Sequence, residues 1–363
     1  LGRSRERYQR LRPESTISTE FGFDTRFFNN RLRLDFTYYK TNTSDQIFRT
    51  PAPSGSGISS KFQNGGDIQN TGVEIALGAT LFNNPDFSWD LDLNFSKNQS
   101  EVLEITSGFD ELVVGNADFI REYRLVKGQP FGDVYSRGFL RDDQGRVQID
   151  ANGLPLTTTG LDVLVSNYNP DWLGGIRNSL TYKNFNFSVL VDIRQGGSVT
   201  SFTEAILARD GLLDYTVAGR DGSLVFGENI FEGEAAVLEG TDTPNNLTTN
   251  SEAFWNRVGG RNAPVGEAFK RDASNIRVRE MVLGYSVPDK FLENNFFTSA
   301  SFSLVGRNLF FISNKAGNFD PETLSSVSTT SNATGNGEIT SEGTEAFAPP
   351  TTRTIGVSLN FGF

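Results

Sequence analysis

Asp90 and Asp92 stand two positions apart in Phe87-Ser88-Trp89-Asp90-Leu91-Asp92, with Glu74 upstream. Paired carboxylates at a suitable separation are the machinery of glycoside hydrolysis. Arg141-Asp142-Asp143-Gln144-Gly145-Arg146-Val147-Gln148-Ile149-Asp150 has the acidity of a calcium loop. It lacks the Asp-x-Asp-x-Asp-Gly spacing and the acid at the twelfth position that such a loop needs. It reads instead as a surface hairpin closed near Asp143-Gln144-Gly145. The 363 residues contain no His and no Cys. That removes His-based proton transfer, Ser-His-Asp and Cys-His triads, thiolate or imidazole zinc sites and disulfides. No metal or cofactor site is expected, and no enzyme. With 33 Lys+Arg against 44 Asp+Glu, the net charge of −11 also opposes nucleic-acid binding.

The other chemistry-bearing residues are cations and aromatics. Arg277, Arg279 and Arg307, with Arg194 and Asp192, alternate with apolar neighbours. Side chains in that pattern share one face of a strand and suit either ion pairs to carboxylates or a polar solute path. The parity of apolar residues changes between Val278 and Met281, which places a β-bulge near Glu280. Tyr135 and Trp255 fall in long polar segments, where a ring can stack on a sugar, meet a partner protein or pack within its own loop.

The elements that must hold these residues are strands. Leu32, Leu34, Phe36 and Tyr38 alternate with Arg33, Asp35, Thr37 and Tyr39. Phe87, Trp89, Leu91, Leu93 and Phe95 alternate with Ser88, Asp90, Asp92, Asn94 and Ser96. The same period of two runs through Val73–Leu81, Phe185–Arg194 and Ile355–Phe363. Phe is unusually frequent at 31 residues, yet only 37% of the chain is hydrophobic, and no stretch is long and apolar enough for a membrane helix. An acidic, aromatic, alternating chain of this kind fits an all-β, antiparallel transmembrane barrel, apolar toward lipid and polar toward its lumen. In that setting Asp90, Asp92 and Glu74 read as part of a polar wall. Ser201–Leu213 is the one helical segment expected.

The connections carry the same message. Phe28-Asn29-Asn30, Asn83-Asn84-Pro85-Asp86, Lys183-Asn184 and Val287-Pro288-Asp289-Lys290 are short turns. Thr50–Gly72, Ser107–Asp171, Val199–Ser274 and Ser313–Thr352 are long polar segments, and short and long alternate. Outer-membrane barrels have this sidedness, with short periplasmic turns and long extracellular loops. Nine strands are expected, at 16–27, 31–48, 72–83, 87–104, 173–183, 185–197, 275–287, 297–312 and 353–363. Single-chain bacterial barrels have an even number, so residues 1–363 are expected to be the C-terminal part of a longer barrel whose chain ends in the periplasm. Trp89 and Trp172 are expected as interface anchors.

A series of short motifs, in order along the chain, resembles one family. It comprises Leu11-Arg12-Pro13-Glu14, Phe36-Thr37-Tyr38-Tyr39, Asn64-Gly65-Gly66-Asp67-Ile68-Gln69-Asn70-Thr71-Gly72-Val73-Glu74 and Lys127-Gly128-Gln129-Pro130-Phe131-Gly132-Asp133. It continues with Asn169-Pro170-Asp171-Trp172, Asp192-Ile193-Arg194-Gln195-Gly196-Gly197, Ile276-Arg277-Val278-Arg279 and Leu283-Gly284-Tyr285-Ser286-Val287-Pro288. Gly306-Arg307-Asn308-Leu309-Phe310, Asp320-Pro321-Glu322 and Pro350-Thr351-Thr352-Arg353 complete it. Together they resemble the C-terminal barrel of SusC/RagA-type TonB-dependent transporters of Bacteroidetes outer membranes.

The resemblance implies a plugged barrel of about 22 strands, of which these would be the last nine. The plug and the earlier strands would lie outside this sequence. It implies import of glycan fragments or peptides with energy delivered through TonB, and a SusD-like surface lipoprotein capping the mouth. Asp192, Arg194, Arg277, Arg279 and Arg307 would then line the lumen, touching the plug or the solute. Tyr135 and Trp255 would be loop contacts. Phe361 and Phe363 would form the terminal signal for barrel assembly. A structural or adhesive barrel that binds partners through its loops without transport is the alternative the residues leave open.

Overall fold

The computed structural model describes residues 11–51, 60–105, 109–114, 120–293, 296–322 and 343–363. Nine strands form a single antiparallel sheet: β1 (Ser15–Phe27), β2 (Leu32–Ser44), β3 (Asp67–Asn83), β4 (Phe87–Glu104), β5 (Trp172–Tyr182), β6 (Phe185–Gln195), β7 (Asn275–Ser286), β8 (Ser299–Asn314) and β9 (Thr354–Gly362). Their spatial order is their chain order, so every strand pairs with its sequence neighbours. This is the up-and-down wall expected of a barrel. Among the described residues β1 pairs only with β2 and β9 only with β8. Both outer edges are therefore unpaired among the described residues.

Directly paired residues lie on the same side of a sheet, so the register reveals the two faces. One row runs Leu34, Leu77, Leu93, Ile176, Val191, Val278 and Phe310 from β2 to β8. The adjacent row on the opposite face runs Asp35, Ala76, Asn94, Gly175, Asp192 and Arg277. The alternation read from single strands therefore adds up to one apolar and one polar surface. Toward the short turns the apolar face becomes aromatic. Phe82 stacks on Trp89 at 6.0 Å, and Phe185 meets Tyr285 at 4.9 Å. Trp172 marks the other end of the same face, its ring 5.7 Å from Phe95. Among the described residues no helix is long and apolar enough to cross a membrane.

Two glycines let side chains on the polar face bridge three strands. Arg33 crosses over Gly78 to reach Asp92 at 3.1 Å, where a Cβ would lie 2.7 Å from the guanidinium. Tyr39 crosses over Gly72 in the same way, its hydroxyl donating to Asn98 at 3.1 Å. Each bridge ties β2 to β4 above the backbone hydrogen bonds.

The expected strand limits shift in two places. β3 begins at Asp67 rather than at 72, because Ile68 is buried and pairs with Val102 near the end of β4. Ile68 is the one apolar residue in Asp67–Thr71, too few for alternation to reveal the run. β2 ends at Ser44, where Asp45 takes a positive φ of 56°, and a separate hairpin pairs Ile47–Pro51 with Ser60–Asn64.

The long segments at the opposite end from the short turns fold into bodies with their own cores. Ile120, Phe139, Val147 and Ile149 come from the segment between β4 and β5. They pack with Leu224, Phe226, Phe254, Trp255, Val258 and Phe269 from the segment between β6 and β7. Val147–Ile149 and Ala236–Leu238, one stretch from each, pair in parallel. Helix α1 (Phe202–Arg209) is capped by Ser201, whose hydroxyl accepts from the Glu204 amide, and α2 (Ser251–Val258) is capped by Asn250. α1 is shorter than the expected 201–213, ending before Gly211 at a positive φ of 69°. A second core joins Val102 and Ile105 to Leu112, Tyr123, Leu125, Val134, Val165 and Tyr168.

The two faces give a direct test. Val189→Arg on the apolar face is expected to cost about 2–4 kcal/mol in a bilayer. Ser188→Arg, on the polar face, should cost far less. The amount of heat-modifiable folded barrel recovered from membranes compares the two, and equal losses would contradict the assignment of faces.

Candidate functional site

The best-organised polar constellation lies where β7 and β8 meet the last long segment. The bulge expected near Glu280 is present: Leu190 opposes Glu280 while Val191 opposes Val278, leaving Arg279 without a paired position. On the other side β8 omits Asn308, at a φ of +49°, and Leu309. The extra residue brings Arg277, Arg279 and Glu280 to the polar side within four positions, while Val278 and Met281 stay on the apolar row.

Arg277 is 3% exposed and donates through Nη1 to Asp320 Oδ2 at 3.1 Å and Glu322 Oε2 at 2.9 Å. Its Nη2 donates to the Thr351 hydroxyl, which in turn donates to Asp320. Arg279 grips Glu322 with both terminal nitrogens, at 2.8 and 2.9 Å. Its Nε donates to Asp192 at 2.6 Å and its Nη1 to Asn308 at 3.1 Å. The forked guanidinium is the one side chain able to serve several acceptors in a plane at once. Five of the motif segments read in the sequence thus converge: Asp192–Gly197, Ile276–Arg279, Gly306–Phe310, Asp320–Glu322 and Pro350–Arg353.

The remaining residues singled out in the sequence go elsewhere. Arg307 donates to Glu280 at 3.0 Å, and Arg177 approaches the same carboxylate at 3.8 Å. Arg194 donates to the carbonyl of Tyr168 at 2.6 Å and so braces the turn leading into β5. Tyr135 is covered on one ring face by the Arg124 guanidinium at 4.7 Å, and burial pushes its hydroxyl pKa up. Trp255 corrects the reading of it as an available ring face. It is 4% exposed, packed against Phe254 at 5.0 Å and Tyr215 at 5.1 Å inside the loop core. Helix α2 turns it inward together with Phe254 and Val258. Phe361 and Phe363 cluster with Phe297 at 5.1 and 5.4 Å, beside the short-turn end.

The carboxylates that could have been an acid pair are each engaged separately. Asp92 is bound to Arg33, Asp90 accepts from the Thr80 hydroxyl at 2.6 Å, and Glu74 lies opposite Ser96. The acidic segment at 141–150 is a hairpin tip whose Asp142 carboxylate accepts from the Gln144 and Arg146 amides at 3.0 and 2.9 Å. Among the described residues no group of three or more acids is arranged to hold a metal ion.

The partners Asp320, Glu322 and Thr351 were present in the sequence as motifs without assigned roles. Pairing them with Arg277 requires knowing that residues 43 positions and more along the chain return to the same strand. No local periodicity carries that information.

A family model described as TonB dependent receptor-like, beta-barrel, matches residues 4–117. Over 97% of its length the chain is 26% identical to TonB-dependent receptor P3 of Formosa agariphila, covering 34% of that protein. It is 23% identical to TonB-dependent receptor SusC of Bacteroides thetaiotaomicron over 88% of the chain and 30% of SusC. Its fold matches the structure of the RagAB peptide transporter with a TM-score of 0.66 and 20% identity, over 95% of this chain and 35% of that one. The RagAB peptide importer in the 'open-open' state gives 0.67 and 18%, over 97% and 35%. The chain spans about a third of the length of the relatives it matches.

Two tests address the geometry. Arg277→Met leaves the Asp320 carboxylate buried without its cation and is expected to cost about 3–5 kcal/mol. Denaturant titration measures the loss, and a change below 1 kcal/mol (roughly the value of a surface pair) would show that the cluster holds nothing. In α1, burial raises the pKa of Glu204, an effect the Arg271 guanidinium at 3.0 Å offsets only in part. An acid whose folded pKa is raised contributes stability that is present below its unfolded value and lost as pH rises through the folded one. Amide exchange of 202–209, corrected for intrinsic rates, should therefore slow on acidification toward the carboxylate range. Glu204→Gln should flatten that dependence; an unchanged slope would contradict it.

Proposed function

We propose that this chain, which is similar to the TonB-dependent receptor β-barrels of the SusC/RagA type, is the C-terminal part of an outer-membrane importer of oligosaccharides or peptides. Its relatives are receptors and transporters rather than enzymes. The observation that carries the proposal is the two-faced wall with all its long, cored segments at one end. An apolar outer face suits lipid, a polar inner face suits a hydrated path, and a folded platform at one mouth suits a partner.

In this reading the short turns and Phe363 face the periplasm, and the aromatic cluster around Phe297 completes an assembly signal. The body built from the segments around α1 and α2 faces outward and receives a SusD-like lipoprotein. Energy arrives through TonB by way of chain that precedes this sequence. Asp192, Arg194, Arg277, Arg279 and Arg307 lie on the lumen side. The Arg277–Asp320 cluster anchors the last long segment to the wall, so the platform is held rigidly at the mouth.

The test uses the full-length protein in its native outer membrane. Purification should yield an intact mass well above the 40.0 kDa of this chain together with a co-purifying lipoprotein. Uptake of labelled oligosaccharides or peptides should stop when a protonophore removes the proton gradient. Uptake indifferent to the protonophore, or the absence of uptake beside normal partner binding, would favour the adhesive reading.

A further inference from the structure

We propose that a slanted line of guanidinium groups on the lumen face binds the carboxylates of an anionic oligomer as it passes. Following the register across the wall from Arg26 on β1 gives Arg33, then Gly78, Asp92, Arg177, Leu190, Glu280 and Arg307 on β8. The row ends at Thr354, the first residue of β9. Arg26 is one residue from the end of β1 at the short-turn side, whereas Thr354 is at the long-segment side. A hydrogen-bonded row runs perpendicular to its strands, and barrel strands tilt by about 35–45°. The row must therefore climb the wall from one mouth toward the other. Adjacent strands are about 4.8 Å apart, so eight steps span roughly 40 Å.

This line differs in charge from its surroundings. It carries four arginines against two carboxylates, in a chain with net charge −11. The row above it holds Asp24, Asp35 and Asp192 against the single cation Arg277, and the row below holds Asp90. Within the line the cations are incompletely paired. Arg177 and Arg307 share the single carboxylate of Glu280, and Arg26 reaches Asp24 only at 4.0 Å. In this chain taken by itself Arg26, Arg33 and Arg307 are exposed on the polar face. Each guanidinium retains donors suited to a carboxylate fork. Low-dielectric walls focus such a field along the pore. An oligomer with a negative charge on each unit could move from Arg307 to Arg177 and on to Arg33 and Arg26 by exchanging partners, without ever leaving all of them.

The proposal rests on the lumen being the solute path, and its test separates the two. Tetragalacturonate and tetraglutamate, with neutral maltotetraose as control, are titrated calorimetrically into the detergent-solubilised full-length protein at low and high salt. At least one acidic tetramer should bind with salt-sensitive affinity, and the neutral sugar more weakly. Whichever acid binds better identifies an acidic sugar or an acidic peptide as the source of the carboxylates. The double variant Arg177→Gln/Arg307→Gln should lose about tenfold or more, equivalent to about 1.4 kcal/mol. Arg26→Gln, on the far strand, supplies a second variant should the first fail to assemble. Equal binding of neutral and acidic tetramers, no binding of either acid, or undiminished affinity in correctly assembled variants would overturn the proposal. So would variants that conduct ions in planar bilayers while binding the acid normally, which would assign the line to holding upstream chain in the lumen. Intact acid binding without energised uptake would instead count against the importer.

Discussion

Within hydrocarbon an unpaired peptide group has no water to turn to and costs several kcal/mol. That single constraint organises the molecule. It demands a continuous ladder from β1 to β9 in which each strand pairs with its chain neighbour. Because strand side chains alternate, a ladder kept in register necessarily sorts residues into an apolar and a polar surface. Function then depends on departures from regularity that leave the ladder intact. The bulge at Val278–Glu280 is the clearest case, adding Arg279 to a polar face without exposing Met281 or Leu283 to the wrong side.

The polar face is organised by reach. Arginine and tyrosine side chains lie across glycines to meet partners two strands away, as Arg33 does over Gly78 and Tyr39 over Gly72. Arg277 and Arg279 extend the same principle beyond the sheet, gathering Asp320, Glu322 and Thr351 from the last long segment. A buried ion cluster of this kind specifies one arrangement because breaking any member strands a charge. The wall and the platform above it are thereby coupled through side chains, while the ladder itself supplies the membrane-spanning frame.

Legibility in the sequence followed the range of the interactions. The nine wall strands could be read because alternation within ten residues determines their faces, and strands at Phe87–Glu104 and Phe185–Gln195 match that reading closely. The bulge near Glu280 was legible for the same reason, as a change of parity. The start of β3 was not, since Ile68 alone is apolar in Asp67–Thr71 and one residue makes no period. The role of Trp255 stayed open in the sequence between stacking on a solute, meeting a partner and packing in its loop, because Tyr215 and Phe269, which enclose it with Phe254, are distant along the chain. The loop core assembles from two segments separated by β5 and β6, so neither segment alone shows a complete hydrophobic surface. The ion cluster was visible as motifs but not as contacts.

The central claim is that one face of the sheet meets lipid while the long segments stand clear of it. The chain's three tryptophans sample both places. Trp89 and Trp172 belong to the apolar rows, and Trp255 is enclosed in the loop core. In full-length protein retaining one of these at a time, reconstituted with brominated lipids, fluorescence of Trp89 and Trp172 should be quenched and that of Trp255 should not. Quenching of Trp255 with Trp89 and Trp172 unaffected would contradict the account.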